Sequence, residues 1–175
     1  MTIVVETGAG LSTAETYIGV AESLTYHADR GNAAWAALTT AQQEQALRRA
    51  TEYMLQVYRP RWKGVRMKST QALDWPRAYV YLEPVITGAN LEFPNLVASN
   101  IVPVEVARAC AELALLSISG PLLAPLERGV ISEAIGPIST TYDKFSPEIT
   151  RRPAVDGMLR PYLDQFAGTL MAIRA

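Results

Sequence analysis

Apolar positions recur at helical spacing in two long stretches of the chain and at shorter, β-branched spacing in several others. From Thr40 to about Tyr58 the stripe Leu47, Ala50, Met54, Leu55 and Tyr58 is backed by Gln45, Arg48, Arg49, Glu52 and Gln56, with Glu44 one turn before Arg48. That pattern predicts an amphipathic helix carrying a favourable surface pair. Thr40 and Gln43 have capping-box spacing at its start. Pro103 is placed to open a second strong helix as its first residue, and Gly120-Pro121 to close it. Its only charges, Glu105, Arg108 and Glu112, fall on one narrow stripe. A helix apolar around most of its circumference must be covered on most sides. A homo-oligomeric interface is an expected source of part of that cover.

Before these helices, Ile3 to Val5 is good for an edge strand, and a helix is expected from Gly19 or Val20 to Arg30, where Gly31-Asn32 ends it. A short helical turn follows over 33–38. Between the two long helices, residues 78–100 are apolar but broken by Pro84, Gly88 and Pro94, which predicts irregular chain with one or two extended pieces. Residues 129–143, GVISEAIGPISTTYD, are β-branched around Gly136-Pro137 and read as two strands, Val130 to Ile135 and Ile138 to Tyr142.

After a linker, helical spacing returns at Val155, Met158, Leu159, Tyr162, Leu163, Phe166, Leu170 and Ile173, over about five turns. Gly157, Pro161 and Gly168 weaken that segment as an isolated helix. It is expected to be an arm, stable when its stripe docks on its own core or on a partner. The fold class is mainly α: a small helical bundle with a β-hairpin and a C-terminal helical arm, divided into a core over 1–145 and a linker with arm over 146–175.

Composition sharpens this picture at one place. Of 175 residues, 49% are apolar and 19% charged, enough to bury a core and too apolar for disorder throughout. The chain carries a formal −1, and its pI near 5.9 argues against a general nucleic-acid coat. Residues 58–77, YRPRWKGVRMKSTQALDWPR, nevertheless hold Arg59, Arg61, Lys63, Arg66, Lys68 and Arg77 against the single acid Asp74, a local +5 that leaves −6 elsewhere. Trp62 and Trp75 lie within the cluster, and Pro60, Gly64 and Pro76 interrupt regular structure. An ordered, protruding basic loop is expected, carried on the preceding helix. Basic and aromatic side chains together suit a polyanion, since cations neutralise phosphates and Trp stacks on a base. The same tryptophans could instead anchor the loop to the core.

Candidate chemistry is sparse. His27, the one histidine, shares a helical side with Val20 and Leu24 and reads as structural. Cys110, the one cysteine, sits among apolar neighbours and reads as buried. Neither a zinc site nor a Cys/His nucleophile pair can be assembled from them. Gly8-Ala9-Gly10 follows a β-like run but lacks the third glycine of a dinucleotide fingerprint. No active site, metal or cofactor is expected. No apolar run approaches the roughly eighteen residues that span a bilayer, and MTIVVETGAG lacks the charged start of a signal peptide. No membrane partner is expected, and the chain is expected to remain in the cytoplasm of the cell that makes it.

Several pieces carry a family resemblance: Tyr17 with the following AESLTYHADRGNAAW, ALRRATEYM, YRPRWKG with QALDWPR, VPVEVARACAELAL and GVISEAIGPISTTYD. In this order they resemble the tailed-phage and prophage proteins labelled DnaT-like single-stranded-DNA-binding proteins, QALDWPR being the most specific match. Leu24-Thr25 and the insertion from Tyr81 to Ile101 depart from that pattern. The family in turn is similar to the head-to-tail connector, or adaptor, proteins of long-tailed phages. That resemblance implies a virion structural protein of the neck, made in the host bacterial cytoplasm, with no reaction to catalyse. It would form a homo-oligomeric ring, a dodecamer by this likeness, joining the portal protein to tail or neck completion proteins and surrounding the DNA channel. On it, the basic loop (Arg59, Arg61, Trp62, Lys63, Arg66, Lys68, Trp75, Arg77) would contact a partner or the passing DNA, and the arm would grip the portal or a neighbour. The other implication of the resemblance is single-stranded-DNA binding itself.

Overall fold

The computed structural model describes residues 2–82, 85–87, 90–92, 95–123, 130–134, 139–142 and 152–164. The chain is mainly α. Five helices, α1 (Val20–Ala28), α2 (Ala33–Ala36), α3 (Thr40–Tyr58), α4 (Val104–Leu116) and α5 (Pro153–Leu159), occur among these residues. Three antiparallel strand pairs accompany them: β1 (Val65–Arg66) with β2 (Arg77–Ala78), β3 (Val85–Thr87) with β4 (Asn90–Glu92), and β5 (Val130–Ala134) with β6 (Ser139–Tyr142).

The predicted stripe of α3 is the centre of the core: Leu47, Ala50, Met54 and Tyr58 are buried, and Leu55 is half-buried. Its capping box lies one residue earlier than the spacing suggests. Thr39, not Thr40, is the N-cap, receiving the Gln42 amide on Oγ1 while its own N–H donates to Gln42 Oε1 at 2.9 Å. Gln43 turns inward and donates from Nε2 to the Trp35 carbonyl at 2.9 Å. Arg48 makes the expected pair with Glu44 at 3.8 Å and a closer one with Glu15 at 2.9 Å.

α4 begins one residue after Pro103, which serves as its N-cap. Much of its apolar circumference is covered by the chain's own helices, while Val104 at its start and Ile118 just past its end stay exposed and Ala107, Leu115 and Leu116 are half-buried. On the α1 side, His27 donates from Nε2 to the Ala111 carbonyl at 3.2 Å and Tyr26 donates to Glu112 at 2.9 Å. On the α3 side, the Cys110 sulfur lies 3.4 Å from Thr51 Oγ1. On the α5 side, Tyr162 donates to Glu105 at 2.7 Å. Ala109, Ala111 and Ala114 are buried and, being small, let these neighbours approach. Burial raises the pKa of the Cys110 thiol, so it behaves as the small apolar residue expected.

The C-terminal segment is shorter as a helix than its spacing predicts. α5 gives way at Leu159 to a tight turn over Arg160–Tyr162, and Leu163 is extended. Pro161 lacks the amide a continuing helix would need there. Val155, Leu159, Tyr162 and Leu163 are buried in the same core as α3 and α4, Met158 packs at its edge, and Tyr58 donates to Asp156 at 2.8 Å. These side chains therefore dock on the chain's own core. Phe166 and Leu170 lie outside the described residues, as do the expected turn at Gly136-Pro137 and residues 146–151 of the linker. The expected edge strand over Ile3 to Val5 is reduced to one parallel bridge between Val5 and Thr16.

His27 is buried, with Asn32 Nδ2 donating to its Nδ1 at 3.1 Å. Its Nε2 carries the proton, and burial depresses its pKa below the ordinary 6.5. The unfolded chain then binds the proton more readily than the folded one, so this stabilisation is complete above pH 6.5 and declines as pH falls through the folded pKa. Urea melts should show stability decreasing from pH 6.5 downward in the wild type and a shallower decline in His27→Gln; equal slopes would show that His27 does not titrate on unfolding.

Candidate nucleic-acid interface

The basic stretch begins where α3 stops. Pro60 has no amide to extend the ladder, and Arg59–Arg61 forms a single tight turn after which Trp62 is extended and bridges Leu163. Lys63 N–H donates to the Tyr162 carbonyl at 3.0 Å, and the Asp164 N–H donates to the Arg61 carbonyl at 2.7 Å. The stretch is thus stitched to the C-terminal segment. Its base is anchored, and residues 65–70 beyond it are exposed.

QALDWPR is the knot that closes it. Gln71 is buried, donates from Nε2 to the carbonyls of Leu73 (2.8 Å) and Pro76 (3.1 Å), and accepts the Lys68 N–H at 2.8 Å. The Asp74 N–H donates to Tyr17 Oη at 3.0 Å, and the Trp75-Pro76 peptide is cis. Arg77 is buried at 7% exposure and gathers four carbonyls: Lys63 from Nε at 2.7 Å, Asp74 from Nη1 at 3.3 Å, and Gly64 and Trp62 from Nη2 at 2.6 and 3.5 Å. Burial lowers its pKa, with the Asp74 charge opposing that shift. Guanidinium stays charged in proteins, so these carbonyls hold a cation. β1 and β2 pair here, with Val65 opposite Ala78 and Arg66 opposite Arg77. Gly64 has φ +67, and a Cβ on it would overlap the Ala78 carbonyl oxygen.

The tryptophans face the interior. Trp75 is fully buried and Trp62 is 6% exposed. They meet edge to face with centroids 5.8 Å apart, flanked by Tyr162 at 5.6 Å from Trp75 and Tyr58 at 5.9 Å from Trp62. Such offset contacts are favourable beyond the area they bury. Trp62, Trp75 and Arg77 are therefore corrections to the expected contacting set: they anchor the knot and cannot reach a ligand.

The remaining cations lie at the surface. Arg59 pairs with buried Asp74 at 2.9 Å. Lys63 Nζ donates to the carbonyls of Pro161 (2.7 Å) and Tyr81 (3.3 Å), Arg66 to that of Gln71 (3.3 Å) and Lys68 to that of Ala9 (2.6 Å). Neutral acceptors orient these three side chains and leave their charge intact. Around them Val65, Met67, Tyr79 and Tyr81 are exposed. The two tyrosines were not among the sequence candidates, because composition weights tryptophan within the basic cluster and Tyr79 and Tyr81 lie just past its end.

Other features offer less. The glycine turn at residues 8–10 is filled by the chain itself: the buried Glu6 carboxylate accepts the N–H groups of Gly8 (2.9 Å), Gly10 (2.9 Å) and Leu11 (2.7 Å), where a phosphate loop would hold its ligand. Among the described residues no group of three or more His, Cys, Asp or Glu could hold a metal, and no helix is long and apolar enough to cross a membrane. Two clefts, of about 510 Å³ and about 630 Å³, mix acids with bases, Arg49 with Glu52 in one and Glu22 and Asp29 with Arg30 and Arg108 in the other. Neither suits a polyanion.

In comparison with known proteins, a family model described as "Putative DnaT-like ssDNA binding protein" matches residues 1–175. No curated protein and no solved structure matches the chain.

Arg77→Met keeps the side chain's length and removes every donor, leaving buried carbonyls without a partner. Urea unfolding should show a loss of about 2–4 kcal/mol. A change within experimental error would mean that the guanidinium does not hold the knot.

Proposed function

Because the chain belongs to the family described as "Putative DnaT-like ssDNA binding protein", we propose that it binds single-stranded DNA on the face formed by Arg61, Lys63, Arg66 and Lys68. The family match over the whole chain carries this reading. Charge distribution supports it: the basic stretch has +5 and the rest of the chain −6, so a polyanion is repelled elsewhere and drawn to this face. Lys63, Arg66 and Lys68 are fixed in place by carbonyls, which reduces the ordering cost of meeting a phosphate.

The head-to-tail connector reading, with its ring, portal contact and place in the virion neck, is less well supported by two of the features that motivated it. A ring needs apolar faces for its neighbours, and α4 and the described part of the C-terminal segment spend much of theirs within one chain, although Val104 and Ile118 stay exposed. The third feature, concentrated positive charge, serves DNA binding equally well.

Fluorescence anisotropy of a labelled oligothymidylate should show single-strand binding whose log affinity falls linearly with log salt. Each lost phosphate contact lowers the slope by about 0.7. Arg66→Gln and Lys68→Gln should each weaken binding and reduce the slope by about that amount. No binding at low salt, or binding indifferent to salt and to both substitutions, would contradict the proposal.

A further inference from the structure

We infer that Tyr79, with Tyr81 beside it, is the base-stacking element of this face, and that the tryptophans take no part in contacting bases. The inference rests on the single-strand reading above. Tyr79 is 67% exposed and Tyr81 50%, whereas Val80 between them is fully buried. Val80 therefore acts as the peg, and both rings stand outward on either side of it.

The backbone at Tyr79 is unusual for its residue type. Its φ is +59, in the left-handed region that bulky side chains rarely adopt. Such a residue is strained and persists only where its surroundings over-determine it. Here the surroundings are identifiable. Ala78 is paired with Val65, Arg77 is held by four carbonyls, Val80 is buried, and Gly64 lies against Ala78 and Tyr79. The knot thus holds the Tyr79 backbone in an unfavourable conformation with its ring in water, although glycine would relieve that strain.

Cations are carried on the backbone around these tyrosines. Lys63 Nζ is 3.3 Å from the Tyr81 carbonyl, and Arg66 is the cross-strand partner of Arg77, two residues before Tyr79. Aromatic rings beside phosphate-neutralising cations are what an unpaired strand needs, because any base presents a π-face for stacking. Paired bases inside a duplex present none, so this arrangement selects single strands without reading sequence.

The test uses the full chain and a labelled oligothymidylate at fixed low salt, with Tyr79→Ala, Tyr79→Phe, Tyr81→Ala and Arg66→Gln compared against the wild type. Tyr79→Ala should weaken binding about tenfold, the lower part of the range for losing one stacked base. Tyr79→Phe should bind as the wild type does, since the ring is kept. Tyr79→Ala should leave the salt slope unchanged and should not affect binding to an oligonucleotide of abasic sites. If Arg66→Gln weakens binding and neither tyrosine substitution does, the inference falls and the DNA-binding reading stands. If the wild type binds no oligonucleotide, both fall. If Tyr79→Ala instead alters only the protein's self-association by light scattering, the tyrosines form a protein-docking patch and the inference is overturned.

Discussion

The guanidinium of Arg77 holds together the part of this molecule on which its basic face depends. It donates to carbonyls of Trp62, Lys63, Gly64 and Asp74, so both ends of a stretch without a long helix or strand converge on one buried cation. Trp75 and Trp62 seal it with the rings of Tyr162 and Tyr58. Because Tyr58 ends α3 and Tyr162 follows α5, the seal also fixes where the C-terminal segment lies. Helix, basic stretch and terminal segment are one packed unit.

This arrangement divides the basic residues by role. Arg77 is interior, Arg59 is tied to Asp74, and Lys63, Arg66 and Lys68 point their charges from backbone carbonyls at the surface. A cluster that looks uniform in sequence is a structural cation with a rim of surface ones. The anionic counterpart is Glu6, whose carboxylate fills the amide nest of its own glycine turn. Where the chain resembles a phosphate loop it is already satisfied, and where it resembles a loose basic loop it is knotted.

Much of the helical architecture could be read from the chain because α3 and α4 declare themselves by periodicity and by proline and glycine at their ends. The limits of α3 match the spacing, and the error in its cap is one residue, since Thr39 and Thr40 both offer a hydroxyl and only backbone geometry distinguishes them. The cover of α4 could not be read. Apolar circumference states that a helix needs neighbours and is silent on whether they belong to the same chain. Likewise the arm's spacing indicated docking and left its site open; the hydroxyl bonds of Tyr58 to Asp156 and Tyr162 to Glu105 place its described part, residues 152–164, on the chain's own core. For the candidate site, charge density singled out a stretch, but burial sorted its members, and the left-handed backbone at exposed Tyr79 is announced by no residue pattern.

The account's central claim is that the aromatic residues inside the basic stretch are structural while its rim meets DNA. All three tryptophans of the chain are buried. Intrinsic tryptophan fluorescence, followed through a titration with single-stranded DNA whose binding is monitored by an independent label, tests this directly. The account predicts a blue-shifted emission, weakly quenched by acrylamide and essentially unchanged at saturation with DNA. A red-shifted emission, or strong quenching that tracks DNA occupancy, would contradict it.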